Sequence, residues 1–238
     1  MKTTLLCVSA AALLAAVAQA QNENVTWDLP ITITQLGIPD VSTLGLYFGS
    51  WAPQDGSANT LPVNGVTFQG FSDLPDLTPG ATLDNGYNGF ASPGTDDSNY
   101  NALLQYGRFS NETTPTTFSW GGMTPGDTYE IQLWVNDGRN STVNQRTETI
   151  TGGDSTSDAL AYGSGSDGPG QYIIGTFVAD SSGSETLTLT PGDASPSAQI
   201  NLFQVRDISA VPEPSTLGLL ASGAGAMIWG FRRKSRVE

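Results

Sequence analysis

Histidine is absent from this chain, and cysteine occurs once, at Cys7. Those two gaps remove much of the usual catalytic repertoire. A Ser-His-Asp triad, a Cys-His pair, a zinc centre and a haem or Rieske ligand set all need side chains that are missing. Lysine is nearly as scarce. Residues 21–210 contain none, and their only cations, Arg108, Arg139, Arg146 and Arg206, stand against 21 Asp and Glu, a net of −17. A surface of that sign repels phosphate backbones, which excludes nucleic acid as a partner. A phosphate-cradling loop is missing too, because the Gly163–Gly168 run (GSGSDG) has neither a following lysine nor a helix to aim at an anion. The same 190 residues show no internal repeat and no helix-period stretch; Gly, Pro, Asn, Asp and Ser break them into short segments.

What is present begins with a leader-like stretch. Lys2 supplies a positive start, Leu5 to Val17 an apolar run, and Ala18-Gln19-Ala20 a small-residue cleavage site, so residues 1–20 read as a secretory signal. Cys7 lies too early for lipoprotein processing and leaves with that peptide. The mature chain is then expected in an oxidising compartment without disulfide or thiolate. The remaining residues 21–210 suffice for one all-β domain with a sizeable core.

The other end, Val211 to Glu238, has three parts in order: Pro212-Glu213-Pro214, an uncharged apolar run from Ser215 to Phe231, and a basic cluster of Arg232, Arg233, Lys234 and Arg236. As a helix, the run spans roughly 25 Å at about 1.5 Å per residue, near a bilayer's hydrocarbon core. Pro214 cannot enter a helix, Ser215 or Thr216 can cap one, and the basic cluster is expected to stay cytoplasmic, leaving 21–210 outside. Gly218, Ser222, Ala226 and Gly230 form a smooth face suited to close helix packing. This order resembles the PEP-CTERM sorting signal of exported Gram-negative bacterial proteins. The resemblance implies a membrane-embedded processing partner of exosortase type, recognition through Pro212, Glu213 and Pro214, transient inner-membrane anchoring through helix 215–231, and a final cell-surface or extracellular location. A rigid juxtamembrane spacer would use the same three residues. In a bacterium, the Asn-X-Thr triplets at Asn24, Asn111 and Asn140 are chance matches to the glycosylation pattern.

Between the two ends the pattern is that of strands. Val25–Thr34, broken by Pro30, then Leu44–Phe48 and Val66–Phe71 read as β. Ala52–Asn64 and Ser72–Asn99 read as loop, the latter hiding a short strand near Tyr87–Phe90 or else forming a functional loop. Leu103–Phe109, Thr116–Trp120, Thr128–Val135, Arg146–Thr151, Tyr172–Val178, Glu185–Thr190 and Gln199–Ile208 follow. In Thr128–Val135, Tyr129, Ile131, Leu133 and Val135 share one face; Glu130, Gln132 and Trp134 share the other. So many short strands predict a single β-sandwich of jelly-roll type, followed by one C-terminal transmembrane helix. The runs Gly121–Asp137, Gly170–Asp180 and Ala198–Asp207 resemble the strand grammar of galactose-binding-like and malectin-like jelly rolls. That resemblance implies a carbohydrate-binding module with extracellular polysaccharide as partner.

The candidate site residues follow from chemistry. A sugar site needs an aromatic face with amides and carboxylates beside it, and Trp134 with Glu130 and Gln132 offers that set unless a loop covers their face and makes Trp134 core. Trp51, Tyr87 and Tyr100 lie in loop-like sequence; Trp27 and Trp120 are expected in the core. Structural calcium is the cofactor that clustered loop oxygens would hold, and Asp96, Asp97, Asn99, Asn136 and Asp137 are the densest such groups, although the same residues are ordinary turn formers. A glycosidase needs only two carboxylates, but the acids sit in turns and no pair stands out. The chain therefore reads as a non-catalytic structural or adhesive component of the surface or matrix, with a dedicated carbohydrate-binding module as the alternative.

Overall fold

The computed structural model describes residues 24–34, 40–52, 61–70, 78–79, 83, 85–87, 89–90, 92–110, 113–137, 139, 146–163, 168–192 and 197–209. The signal at 1–20 and the whole tail at 211–238, with Pro212-Glu213-Pro214, the 215–231 run and the basic cluster, lie outside the described residues. Among the described residues, no helix is long and apolar enough to cross a membrane.

Strands form where β-branched and aromatic residues alternate with polar ones. The first two, β1 (Thr26–Trp27) and β2 (Ile31–Thr32), flank Pro30, which has no N–H to give a ladder. β3 (Leu46–Ala52) extends past the apolar stretch that marked it and takes in Trp51. The expected loop at Ala52–Asn64 contributes β4 (Leu61–Val63), joined to β5 (Val66–Gly70) by Asn64-Gly65, whose φ angles of 50° and 75° suit a tight hairpin. Two short strands, β6 (Thr78–Pro79) and β7 (Asn85–Tyr87), fall in the expected Ser72–Asn99 loop.

A helix then departs from the sequence expectation. α1 (Ser98–Leu104) occupies part of what read as loop and strand, and β8 (Gly107–Phe109) is what remains of the strand expected from Leu103. Seven residues are too few to show a period, and an isolated helix that short is unstable in water. Here Asp97 caps it, accepting the N–H groups of Asn99 at 2.8 Å and Tyr100 at 2.9 Å. Tyr100, Leu103 and Leu104, on one face at i, i+3 and i+4, are buried.

β9 (Thr116–Trp120) and β10 (Thr128–Val135) have the bounds expected of them, with Gly126 at a φ of 86° in the turn between. The rest of the chain supplies β11 (Thr147–Gly152), β12 (Ser155–Thr156), β13 (Leu160–Ala161), β14 (Gln171–Val178), β15 (Glu185–Pro191), β16 (Gln199–Ile200) and β17 (Leu202–Asp207).

β10 is the axis of the sandwich. It pairs antiparallel with β14 from Thr128–Val178 to Val135–Gln171, and with β17 along its other edge. The first sheet runs β1-β14-β10-β17-β3-β5-β4, with β2 also on β14 and with β3 and β5 parallel. The second runs β12-β11-β15-β9-β6, with β13 on β11. Between them, Tyr129, Ile131, Leu133 and Val135 of β10 meet Phe118, Trp120, Ile150, Leu187 and Leu189 of the second sheet. A separate core forms on the outer face of the first sheet. There Trp134, Tyr172, Leu202 and Phe68 lie under Tyr100, Leu103 and Leu104 of α1, with Ile33 and Val41 beside them. At the end of β10 stands a third, three-stranded sheet, β16-β8-β7, linked where the Asn201 N–H donates to the Trp134 carbonyl at 2.9 Å.

Candidate functional site

The outer face of β10 is a second core and not a sugar platform. Trp134 is 0% exposed, Gln132 1% and Glu130 6%. Phe68 packs edge-on to the indole at 5.9 Å between ring centroids, and Tyr172 lies at 6.1 Å. The segment from Asp40 to Gly45 latches over the polar members of this face. Gln132 donates to the Asp40 carbonyl and accepts from the Ser42 N–H at 3.0 Å, while Gln204 donates to Gln132 at 2.8 Å. The Arg206 guanidinium donates to the carbonyls of Thr43, Leu44 and Gly45. Burial pushes the Glu130 carboxyl above its ordinary value, against pulls from Ser42 and Arg206. The covering loop that would turn Trp134 into core is therefore present. Trp51 is also interior, stacked on Phe203 at 4.5 Å, and Tyr100 is wholly buried; of the loop aromatics, Tyr87 remains exposed, at 37%.

Most of the residues proposed for calcium have other work. Asp97 caps α1, and Asn99 donates to the Pro62 carbonyl at 2.9 Å. Asn136 donates to the Leu104 carbonyl and accepts from the Gly170 N–H. Asp137, fully buried, gives both carboxylate oxygens to guanidinium groups. Asp96 is exposed beside the capping aspartate. Among the described residues, no three His, Cys, Asp or Glu side chains gather as a metal site.

Asp137 is the centre of a different constellation. Arg139 meets it through Nε and Nη2, both at 2.7 Å, and Arg146 through Nη1 at 3.0 Å. Arg146 also donates to the Ser197 hydroxyl at 2.9 Å and lies over the Tyr162 ring at 4.6 Å. The Arg139 guanidinium covers the Tyr87 ring at 4.5 Å and reaches the Phe90 ring at 5.0 Å. Its hydrogen bonds to Asp137 raise its already high pKa further, so it stays charged. Behind these groups, Glu148 accepts from the Tyr162 hydroxyl at 2.6 Å and from the Gln199 N–H at 2.8 Å. Its other oxygen, Oε1, is buried without a hydrogen-bond partner. Burial pushes the Glu148 carboxyl up to about 8, outweighing the pull of Tyr162, Gln199 and Arg146, so at neutral pH it is mainly the uncharged acid.

The two arginines border a cavity of about 330 Å³ at the small-sheet end of the sandwich. Tyr87, Phe90 and Phe109 supply its aromatic wall, and Arg139, Arg146, Ser197 and Gln199 its polar one. Gln199 is 1% exposed; its Nε2 donates to the Asn136 carbonyl and to Asn201 Oδ1, which fixes the amide orientation, while its Oε1 has no hydrogen-bond partner. The topology assembles this wall from β7, β8, β16 and the strand ends beside Asp137 and Arg146, which are remote in the chain. Of its residues, sequence reasoning singled out Tyr87 for a ligand; Asp137, which holds the two arginines, it assigned to a metal. It passed over the arginines, although two of only four in an acidic domain are the signal that could have found the site.

Residues 210–234 match the PEP-CTERM protein-sorting motif. The chain thus carries an export and sorting signal of the kind an exosortase-type enzyme recognises. No curated protein sequence matches the chain. Among solved structures, the ANX2 ectodomain from Arabidopsis thaliana is similar at 14% identity with a TM-score of 0.54, covering 69% of this chain and 50% of that one. A second structure, of the plant receptor-like kinase ANX2, gives 14% identity and a TM-score of 0.52 over 69% of this chain and 49% of that one. The chain spans about half the length of these structures. Likeness at that identity concerns the fold alone: a β-sandwich, the architecture expected from the strand pattern.

Proposed function

We propose that this chain is a non-catalytic component of the bacterial surface or extracellular polymer matrix, sorted by an exosortase-type enzyme, and that it adheres by holding a saccharide in the cavity at the small-sheet end. The observation that carries this reading is the cavity wall. Sugars bind through C–H groups laid on aromatic faces and hydroxyls met by fixed polar groups. Tyr87, Phe90 and Phe109 offer the faces, and Ser197, Gln199 and Arg139 the polar groups. At about 330 Å³ the space is near the lower end of small-ligand cavities, which suits one or two sugar rings rather than a long groove.

The test is a glycan array probed with the full-length chain in mild detergent, beside localisation in cells with and without the processing enzyme. Binding is expected, and Tyr87→Ala, at an exposed position that leaves both cores intact, should weaken it about tenfold or more, the contribution of one stacked aromatic. Failure to bind any glycan, with surface placement intact, would leave a purely structural role. Turnover of a bound glycan would overturn the non-catalytic reading.

A further inference from the structure

We propose that the ligand of this cavity carries an oxyanion, a carboxylate or a sulfate ester on a sugar, and that Arg139 is the residue that selects it; this rests on the saccharide reading above. Three observations support it.

The first is the distribution of charge. Residues 21–210 carry a net of −17, yet two of their four arginines border this one cavity. The carboxylate beside them, Asp137, is 0% exposed and engaged by both guanidinium groups, so it is not offered to sugar hydroxyls. Glu148, wholly buried behind Tyr162 and Gln199, adds little negative charge at neutral pH, because burial favours its protonated form. Among the described residues, two guanidinium groups face one carboxylate at this wall, in a chain that is otherwise strongly negative.

The second is the presentation of Arg139. A guanidinium carries five N–H donors, and Asp137 engages it only at Nε and Nη2. Its plane is held over Tyr87 and Phe90 while its side chain remains 34% exposed. A guanidinium stacked on aromatic rings and pinned along one edge is preorganised for planar oxyanion recognition along another. The third is Gln199, whose buried Oε1 lacks a donor while its Nε2 is doubly engaged. Gln199 lines the same cavity as Arg139, so the wall holds an acceptor with no partner of its own beside the cation. One molecule with both an oxyanion and hydroxyls is an acidic saccharide.

The experiment pairs each charged polymer with its neutral counterpart, using the full-length chain in mild detergent and calorimetric titration. One pair is a polyuronate and the same polymer after carboxyl reduction; the other is sulfated dextran and dextran. The charged member of at least one pair should bind about tenfold more tightly than its partner, and which pair does so separates carboxylate from sulfate. Arg139→Gln should abolish that preference while binding of the neutral member persists, with the melting temperature falling by several degrees because buried Asp137 loses two hydrogen bonds; Phe109→Ala, on the cavity wall away from that ion pair, should weaken charged and neutral members alike. Because the whole molecule is acidic, non-specific attraction to polyanions works against the expected result rather than mimicking it. Equal or tighter binding of both neutral members overturns the oxyanion inference and leaves the saccharide reading standing. A preference that survives Arg139→Gln overturns the role of that residue, and no binding to any of the four overturns both readings.

Discussion

Glu148 shows how one buried side chain couples this fold to pH. Its carboxyl ionises near 4.5 in the unfolded chain and at about 8 in the folded one. Between those values the folded state holds a proton that the unfolded state has lost, so raising the pH favours unfolding, by up to about 1.4 kcal/mol per pH unit from this group. Above about pH 8 both states are ionised and the slope from Glu148 ends. Glu148→Gln keeps the shape and removes the titration. Denaturant midpoints measured from pH 5 to 8 should therefore move in the variant's favour relative to the natural chain as pH rises; parallel curves would refute the assignment. Trp134 supplies a second residue-scale test. As core, Trp134→Ala should cost about 3–5 kcal/mol of stability, whereas Trp134→Phe should cost less and leave glycan binding unchanged. A stable Trp134→Ala chain that loses only ligand affinity would restore the exposed-platform expectation.

Among the elements, β10 was legible because alternation of period two over TYEIQLWV is a local property of eight residues. Helix α1 was not. Ser98-Asn99-Tyr100-Asn101 is rich in residues that compete for backbone hydrogen bonds, and only Leu103 and Leu104 extend its apolar stripe. The element exists because Asp97 caps it and the outer face of the first sheet receives Tyr100, Leu103 and Leu104. Asp97→Ala should cost about 1 kcal/mol and speed amide exchange across residues 98–104, while Asp97→Asn, which can still cap, should largely preserve protection. Unchanged exchange in the alanine variant would show that packing alone holds the helix. At the neighbouring strand junction, a Cβ on Gly170 would run into the Val135 carbonyl oxygen, so the backbone itself demands glycine there.

For the whole molecule, charge is distributed less evenly than composition implies. Arg146 and Arg206 are 8% and 6% exposed and serve interior partners, which leaves the outer surface even more uniformly acidic. Self-repulsion of such a surface opposes the compact state and is screened by salt. Raising sodium chloride from about 0.01 M to about 0.3 M should thus raise the melting temperature, an effect readable by calorimetry. A flat or falling response would mean that local ion pairs, not the overall field, dominate. The sandwich arranges two sheets around one core and adds a helix and latch over a second, so the first sheet is buried on both faces for much of its area.

By itself, the order of residues determined the all-β class, the main strands, the absence of histidine and the sorting motif, because each is written in adjacent residues or in composition. Folding in three dimensions decided the rest. Whether Trp134 faces ligand or core depended on what the Asp40–Gly45 latch and α1 would cover. Whether Asp137 would meet a metal or two arginines depended on where distant strands brought Arg146. Tyr87, Arg139 and Gln199 border one cavity through pairings between segments far apart in the chain, and no local pattern encodes such a meeting.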